Sequence, residues 1–169
     1  MSRYKVMLLG EIGVGKSSLV RRLVLDRFEA NYKPTLGVDI YTYNVPTTSP
    51  HDVKTTLMIW DTDGNFGEAM FQHVYMRQAH AALIVGDATR TSTLETMCAL
   101  ASGFRDNFPG RHHALIVNKI DLLPPNEAPK LPQALVSTPH NTIQTSAKTG
   151  DNVQAAFHDA AQTLARREA

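Results

Sequence analysis

Only one cysteine, Cys98, occurs in 169 residues, which excludes an internal disulfide and fits a reducing compartment. Its neighbours Met97, Ala99, Leu100 and Ala101 include no cation to lower a thiol pKa, so a buried structural thiol is expected rather than a nucleophile. Charge of one sign is also scarce. Against 17 Lys and Arg stand 16 Asp and Glu, and the net charge of +1 is too small for general attraction to nucleic acid or anionic lipid. Any anion must therefore be bound locally. No run approaches the roughly 20 apolar residues of a membrane span, and the four apolar residues before Gly10 are too few for a signal-peptide core. Residue 2 is Ser rather than the Gly needed for myristoylation, and Arg166-Arg167-Glu168-Ala169 has no cysteine to prenylate. These absences predict a cytoplasmic chain without a direct membrane anchor. What remains, 43% hydrophobic and 20% charged residues, is a globular profile of a length that suits one domain over residues 1–169.

Along the chain, strand and helix signals alternate. Val6 to Leu9 is a short apolar run ended by Gly10, and Leu19, Val20, Leu23 and Val24 then recur at helical spacing. Two β-rich stretches, Asp39 to Val45 and Thr55 to Trp60, flank a segment with Pro46, Pro50 and several polar residues, and so predict an antiparallel hairpin with a wide loop. Ala82 to Val85 and Ala114 to Val117 are continuous apolar runs, as in strands covered on both faces. Between them Leu94, Met97, Cys98, Ala101 and Phe104 keep helical spacing. Five prolines between Leu123 and His140 leave room for only a short helix around Lys130 to Val136; Thr142 to Gln144 gives a last strand and Val153 to Leu164 an amphipathic terminal helix. The expected fold is α/β: a six-stranded, mixed but mostly parallel sheet with helices on both faces, one edge formed by the hairpin.

Three segments carry chemistry. Gly10-Glu11-Ile12-Gly13-Val14-Gly15-Lys16-Ser17 has the spacing of a phosphate loop: glycines let successive backbone N–H groups turn inward, Lys16 bridges terminal phosphates, and the Ser17 hydroxyl takes one position on Mg²⁺. Asn118-Lys119-Ile120-Asp121 follows an apolar strand at its carboxyl end, where such sheets bind ligands. A carboxylate at Asp121 can accept hydrogen bonds from both the N1–H and the 2-amino group of guanine, which adenine lacks there, and the Asn118 amide can brace the phosphate loop. Asp61-Thr62-Asp63-Gly64 ends another strand; Asp61 can hold the magnesium ion through water, and Gly64 lets its N–H approach a γ-phosphate.

The ordered set of phosphate loop, Thr35, Asp61 to Gly64, Asn118 to Asp121 and Ser146-Ala147-Lys148 resembles the Ras-superfamily small GTPases, and Thr35-Leu36-Gly37-Val38-Asp39 and Ile59-Trp60-Asp61-Thr62 resemble their Rab-like branch. The resemblance covers essentially the whole chain. It implies a molecular switch that binds GTP and GDP with Mg²⁺ and hydrolyses GTP. Nucleotide contacts would come from Gly13, Val14, Gly15, Lys16, Ser17 and Ser18, from Phe28 against the base, and from Thr35 and Gly64. At the guanine end they would come from Asn118, Lys119, Asp121, Ser146, Ala147 through its N–H to the guanine O6, and Lys148. The metal set would be Ser17, Thr35 and Asp61, and the catalytic set Lys16, Thr35, Gly64 and Asn65.

The second switch departs from the family pattern. Asn65 stands where the family has a water-orienting Gln, Asp63 where it has Ala, and Phe66-Gly67-Glu68 replaces a Glu-Arg-Phe run. A side chain one methylene shorter predicts slow hydrolysis, since a reach error of about 1 Å can cost on the order of a hundredfold. Ile12, where the family uses a small residue, would crowd the approach of an activating protein's arginine. A hydrolysis-deficient, nucleotide-binding interaction module is the alternative; a phosphate-loop kinase is disfavoured by the guanine motif. The resemblance further implies a monomer with effectors at the two switches, where Leu36, Val38, Ile40, Trp60 and Tyr75 are apolar candidates, together with possible exchange and activating proteins and no nucleic acid. His112-His113 has no third ligand at metal-binding spacing.

Overall fold

Side-chain alternation along the first strand explains the layering. In β1 (Ser2–Gly10), Tyr4, Val6 and Leu8 join one buried cluster while Met7 and Leu9 join another, because successive residues of a strand face opposite sides. The computed structural model describes residues 1–31, 35, 37–49, 52–62, 64, 76–137 and 142–168. Its further elements are α1 (Lys16–Leu25), β2 (Val38–Asn44), β3 (Thr55–Thr62), β4 (Ala81–Asp87), α2 (Thr91–Asn107), β5 (His112–Asn118), a 3₁₀ turn (Ile120–Leu122), α3 (Gln133–Val136), β6 (Thr142–Gln144) and α4 (Val153–Glu168).

The strands form one sheet in the order β2-β3-β1-β4-β5-β6. Only β2 runs antiparallel, pairing Ile40 with Trp60 and Tyr43 with Leu57 across the hairpin; every other neighbour is parallel. The expected six-stranded sheet with a hairpin edge is therefore observed. Leu19, Val20 and Leu23 of α1 and Ala156, Phe157 and Ala160 of α4 cover the face bearing Val6 and Leu8. On the other face, Leu94, Met97, Leu100 and Phe104 of α2 pack on Met7, Leu9, Ala82 and Ile84. With both faces covered, the central strands can be continuously apolar. Chain order reverses around β1, whose neighbours β3 and β4 lie on opposite sides, so the loop after β1 opens at the switch point of the sheet, where ligands bind in such folds.

Four local expectations need correction. Trp60 is not an open surface residue: it is half-buried against the α2-side cluster with Lys5 Nζ 3.7 Å above its ring, because β1 supplies a long cation whose stem packs on the indole. Cys98 is half-buried rather than buried, and burial followed by nearby Glu95 holds its thiol in the protonated form, the effect of a backbone hydrogen bond notwithstanding. His112 and His113 lie inside β5 rather than in the loop before it; burial first, then Arg167 and His113, lowers the His112 pKa to about 4. The short helix after the prolines is only Gln133–Val136. Of the other apolar effector candidates, Ile40 is exposed and Val38 half-buried, while Leu36 and Tyr75 lie outside the described residues. Among the described residues, no helix is long and apolar enough to cross a membrane, and no three His, Cys, Asp or Glu side chains cluster to hold a metal.

Candidate functional site

A cavity of about 350 Å³ lies at the carboxyl ends of the parallel strands. Its floor is the loop from Gly10 to Lys16, which the chain can fold only through left-handed backbone at Gly13 (φ 77°) and Gly15 (φ 102°). A Cβ at Gly15 would strike the Asn118 amide. Lys16 is 6% exposed, and its ammonium donates to the carbonyls of Gly10 (2.8 Å) and Glu11 (3.0 Å). The cation is thus held at the centre of the loop. Ser17 and Ser18, in the first turn of α1, line the same cavity, as does half-exposed Phe28. Val14 is fully buried and does not line the cavity.

The opposite wall comes from the ends of β5 and β6. Asn118 is 1% exposed. Its Nδ2 donates to the Val14 carbonyl (3.1 Å), while its Oδ1 accepts from Thr145 Oγ1 (3.0 Å) and from the Ala147 N–H (3.2 Å). Lys119, held in left-handed backbone at φ 67°, donates to the Gly13 carbonyl at 2.6 Å. Ser146 does not line the cavity; its hydroxyl donates to Asp121 Oδ1 at 2.7 Å and so orients the carboxylate that does. Ala147 and Lys148 complete this wall, and Arg22 of α1 holds their carbonyls at 2.8 and 2.5 Å. In this structure the Ala147 N–H is committed to Asn118.

At the third side, the Ser17 hydroxyl donates to Asp61 Oδ2 and lies 2.6 Å from Thr35 Oγ1. Asp61 is fully buried, and its Oδ1 has no hydrogen-bond partner among the described residues. Burial pushes the Asp61 carboxyl above the usual carboxylate range, against the Ser17 hydroxyl and the Lys16 charge, which pull it down. Gly64 packs so closely on the loop that a Cβ would collide with the Ile12 nitrogen and the Glu11 carbonyl carbon. Asn65 and Asp63 fall outside the described residues.

A family model described as the Ras family matches residues 5–166. The chain belongs to the Ras family. It is 34% identical over 164 residues to the GTP-binding protein ypt5 of Schizosaccharomyces pombe, an alignment covering 95% of this chain and 77% of that protein. Identity to the Ras-related protein RABF2a of Arabidopsis thaliana is 33% over 166 residues, covering 96% and 81%. With the Ypt/Rab-type GTPase YPT7 of Saccharomyces cerevisiae it is 31% over 173 residues, covering 94% and 80%. This Ras-family chain is thus Rab-like.

Its site uses two residues that the sequence reading passed over. Asp87, at the end of β4, has a side chain 2% exposed and pairs with Lys119 (3.0 Å) and Arg90 (3.3 Å). Burial acts to raise the Asp87 pKa, but hydrogen bonds from the Thr89 hydroxyl and N–H, with Lys119 beside it, outweigh that and hold the carboxyl ionised. The available signal was positional: an aspartate ends an apolar strand in the same way as Asp61. Arg90 carried no signal, because its partner is a carbonyl 78 residues away.

Proposed function

We propose that the cavity binds GTP and GDP and that the chain hydrolyses GTP as a molecular switch. The observation that carries this reading is the direct bonding of the phosphate loop to the guanine-reading loop: Asn118 and Lys119 hold the carbonyls of Val14 and Gly13 in one pocket with Asp121. A nucleotide spanning the pocket would meet loop amides and Lys16 at its phosphates, and the Asp121 carboxylate at its base. Phe28, on the cavity wall, would pack on the base, and Lys119 would cover it.

The residues present fit a magnesium ion. Ser17, Thr35 and Asp61 bring hydroxyl and carboxylate oxygens together, and among the described residues the buried Asp61 Oδ1 has no hydrogen bond, a donor set suited to a hard cation. When bound, the ion neutralises charge on the phosphates. Lys16 supports the same charge from the loop side, and the loop amides stay fixed as it develops, so catalysis is chiefly electrostatic positioning. Thr35 would sense the third phosphate through its tie to Ser17, and Gly64 through its backbone against the loop.

Asn65 would orient the attacking water with a shorter reach than glutamine, which supports slow hydrolysis. Ile12, 39% exposed at the cavity, supports a second reading in which hydrolysis is too slow to matter and the chain is a guanine-nucleotide-binding interaction module. Single-turnover hydrolysis distinguishes them. The switch predicts slow phosphate release that quickens in Asn65→Gln; no release over hours, unchanged by that substitution, favours the module. Effectors recognising the switch surface around exposed Ile40 follow from either reading.

A further inference from the structure

We propose that Arg90 is a positioning residue of the phosphate loop, acting through the Ile12 carbonyl to aim the Gly13 amide at the phosphates. The proposal rests on the guanine-nucleotide reading above. In a planar trans peptide the carbonyl and the following N–H point in opposite directions, so a donor that holds a loop carbonyl outward turns the next N–H inward. Three successive carbonyls are held in this way. Arg90 Nη2 donates to Ile12 O at 2.8 Å, Lys119 Nζ to Gly13 O at 2.6 Å and Asn118 Nδ2 to Val14 O at 3.1 Å. The amides set by these three carbonyls belong to Gly13, Val14 and Gly15. Two of the donors come from the guanine-reading loop; the third comes from the residue that precedes α2.

The Ile12–Gly13 peptide, like Val14–Gly15, precedes a glycine and so needs such a hold. Reversing a peptide changes ψ of the residue before it and φ of the residue after it, and glycine adopts either sign of φ at little cost. Gly13, at φ 77°, is that following residue. Arg90 is itself fixed: Asp87 Oδ2 accepts from its Nε at 3.3 Å while also pairing with Lys119 at 3.0 Å, and Thr89 holds the other oxygen through its N–H and hydroxyl at 2.9 and 2.7 Å. One buried carboxylate therefore anchors two of the cations that hold the loop, Arg90 and Lys119. The planar guanidinium serves Asp87 and Ile12 at once from two nitrogens, a geometry that the single ammonium of lysine does not reproduce. Thr96, in the second turn of α2, donates to Glu11 Oε2 at 3.0 Å, so the loop is gripped at two adjacent residues by α2 and the residue before it.

The test uses the purified chain loaded with a fluorescent GDP or GTP analogue, and amide spectra of the GDP complex with glycine labelled. Arg90→Ala should release nucleotide about tenfold faster, as expected for loss of one charge-assisted hydrogen bond, with Arg90→Lys between it and the native chain. The Gly13 amide proton should move upfield in Arg90→Ala while that of Gly15 stays, because an amide turned from an anion is less deshielded. A merely structural arginine would lower the melting temperature and leave Gly13 in place. Release within twofold of native, or an unmoved Gly13 resonance, in Arg90→Ala overturns the proposal; should that variant not fold, Arg90→Lys is judged by the same two readouts. A native chain that binds no guanine nucleotide overturns the functional reading itself.

Discussion

The phosphate loop and the two switch residues Thr35 and Gly64 line the same cavity, but they are held by different means. The loop is tied by charged and amide donors from α1, β5 and the start of α2 to the carbonyls of Gly10, Glu11, Ile12, Gly13 and Val14. Each of these ties joins protein atom to protein atom. Thr35 meets the frame through the Ser17 hydroxyl, itself shared with Asp61, and Gly64 through bare backbone contact at Ile12. Both contacts lie where the metal and terminal phosphate would enter. The difference teaches that one wall of the cavity is held by many charged and amide ties, whereas Thr35 and Gly64 meet it through few contacts, which a ligand entering there would alter.

Removing the central cation should break the frame most. Lys16→Ala should weaken GDP binding on the order of a hundredfold or more, read by equilibrium titration, since a buried ammonium meeting phosphate has no substitute. Next in size, Asn118→Ala takes the partner from Val14 O, Thr145 and the Ala147 N–H. At about 1 kcal/mol or more for each buried group left unpaired, roughly 3 kcal/mol of stability should be lost. The melting temperature would fall by about 6–12 °C, with GDP and GTP affected alike.

Gly64→Ala should affect the switch side alone. Its Cβ cannot be accommodated against Ile12, so GTP should bind roughly tenfold more weakly, the equivalent of about 1.4 kcal/mol, with GDP unchanged. Equal loss for both nucleotides would erase the proposed contrast. Acid provides a control remote from both regions. His112 falls from about 6.5 to about 4 on folding, so the folded chain resists protonation. Its contribution is full above pH 6.5 and is lost as pH drops toward 4. Allowing for screening of a half-buried ring, the loss is about 1–2 kcal/mol, and denaturant titrations across that range should show a flatter slope in His112→Gln. Smallest is Tyr43→Phe, which removes the 2.9 Å hydrogen bond from β2 to His158 on α4. About 1 kcal/mol of stability should go while GDP release stays native.

How much of this was legible depended on whether a structural signal was local in sequence. The apolar runs Ala82 to Val85 and Ala114 to Val117 announced β4 and β5 because a strand buried on both faces must be apolar throughout. The phosphate loop was legible because close backbone approach requires glycines at fixed spacing, and Asn118 to Asp121 because one tetrapeptide carries the side chains proposed to meet the base. Asp87 and Arg90 were not, since each acts on a residue distant in sequence and neither recurs with a period. The setting of Trp60 was hidden for a similar reason: its Lys5 neighbour is brought by strand pairing, where Met7 lies opposite Trp60 in register. Ala147 was expected to offer its N–H to the base, but here that group bonds to Asn118 Oδ1, a partner fixed only by the joining of β5 and β6.

The central claim, that the tied frame around Asp121 selects guanine, is tested most directly by displacing a fluorescent GDP from the purified native chain with GTP, GDP and ATP. The account predicts displacement by GTP and GDP at near-stoichiometric concentrations and none by ATP at a thousandfold excess, because only guanine offers two donors to Asp121. Displacement by ATP at concentrations comparable to GTP would contradict it.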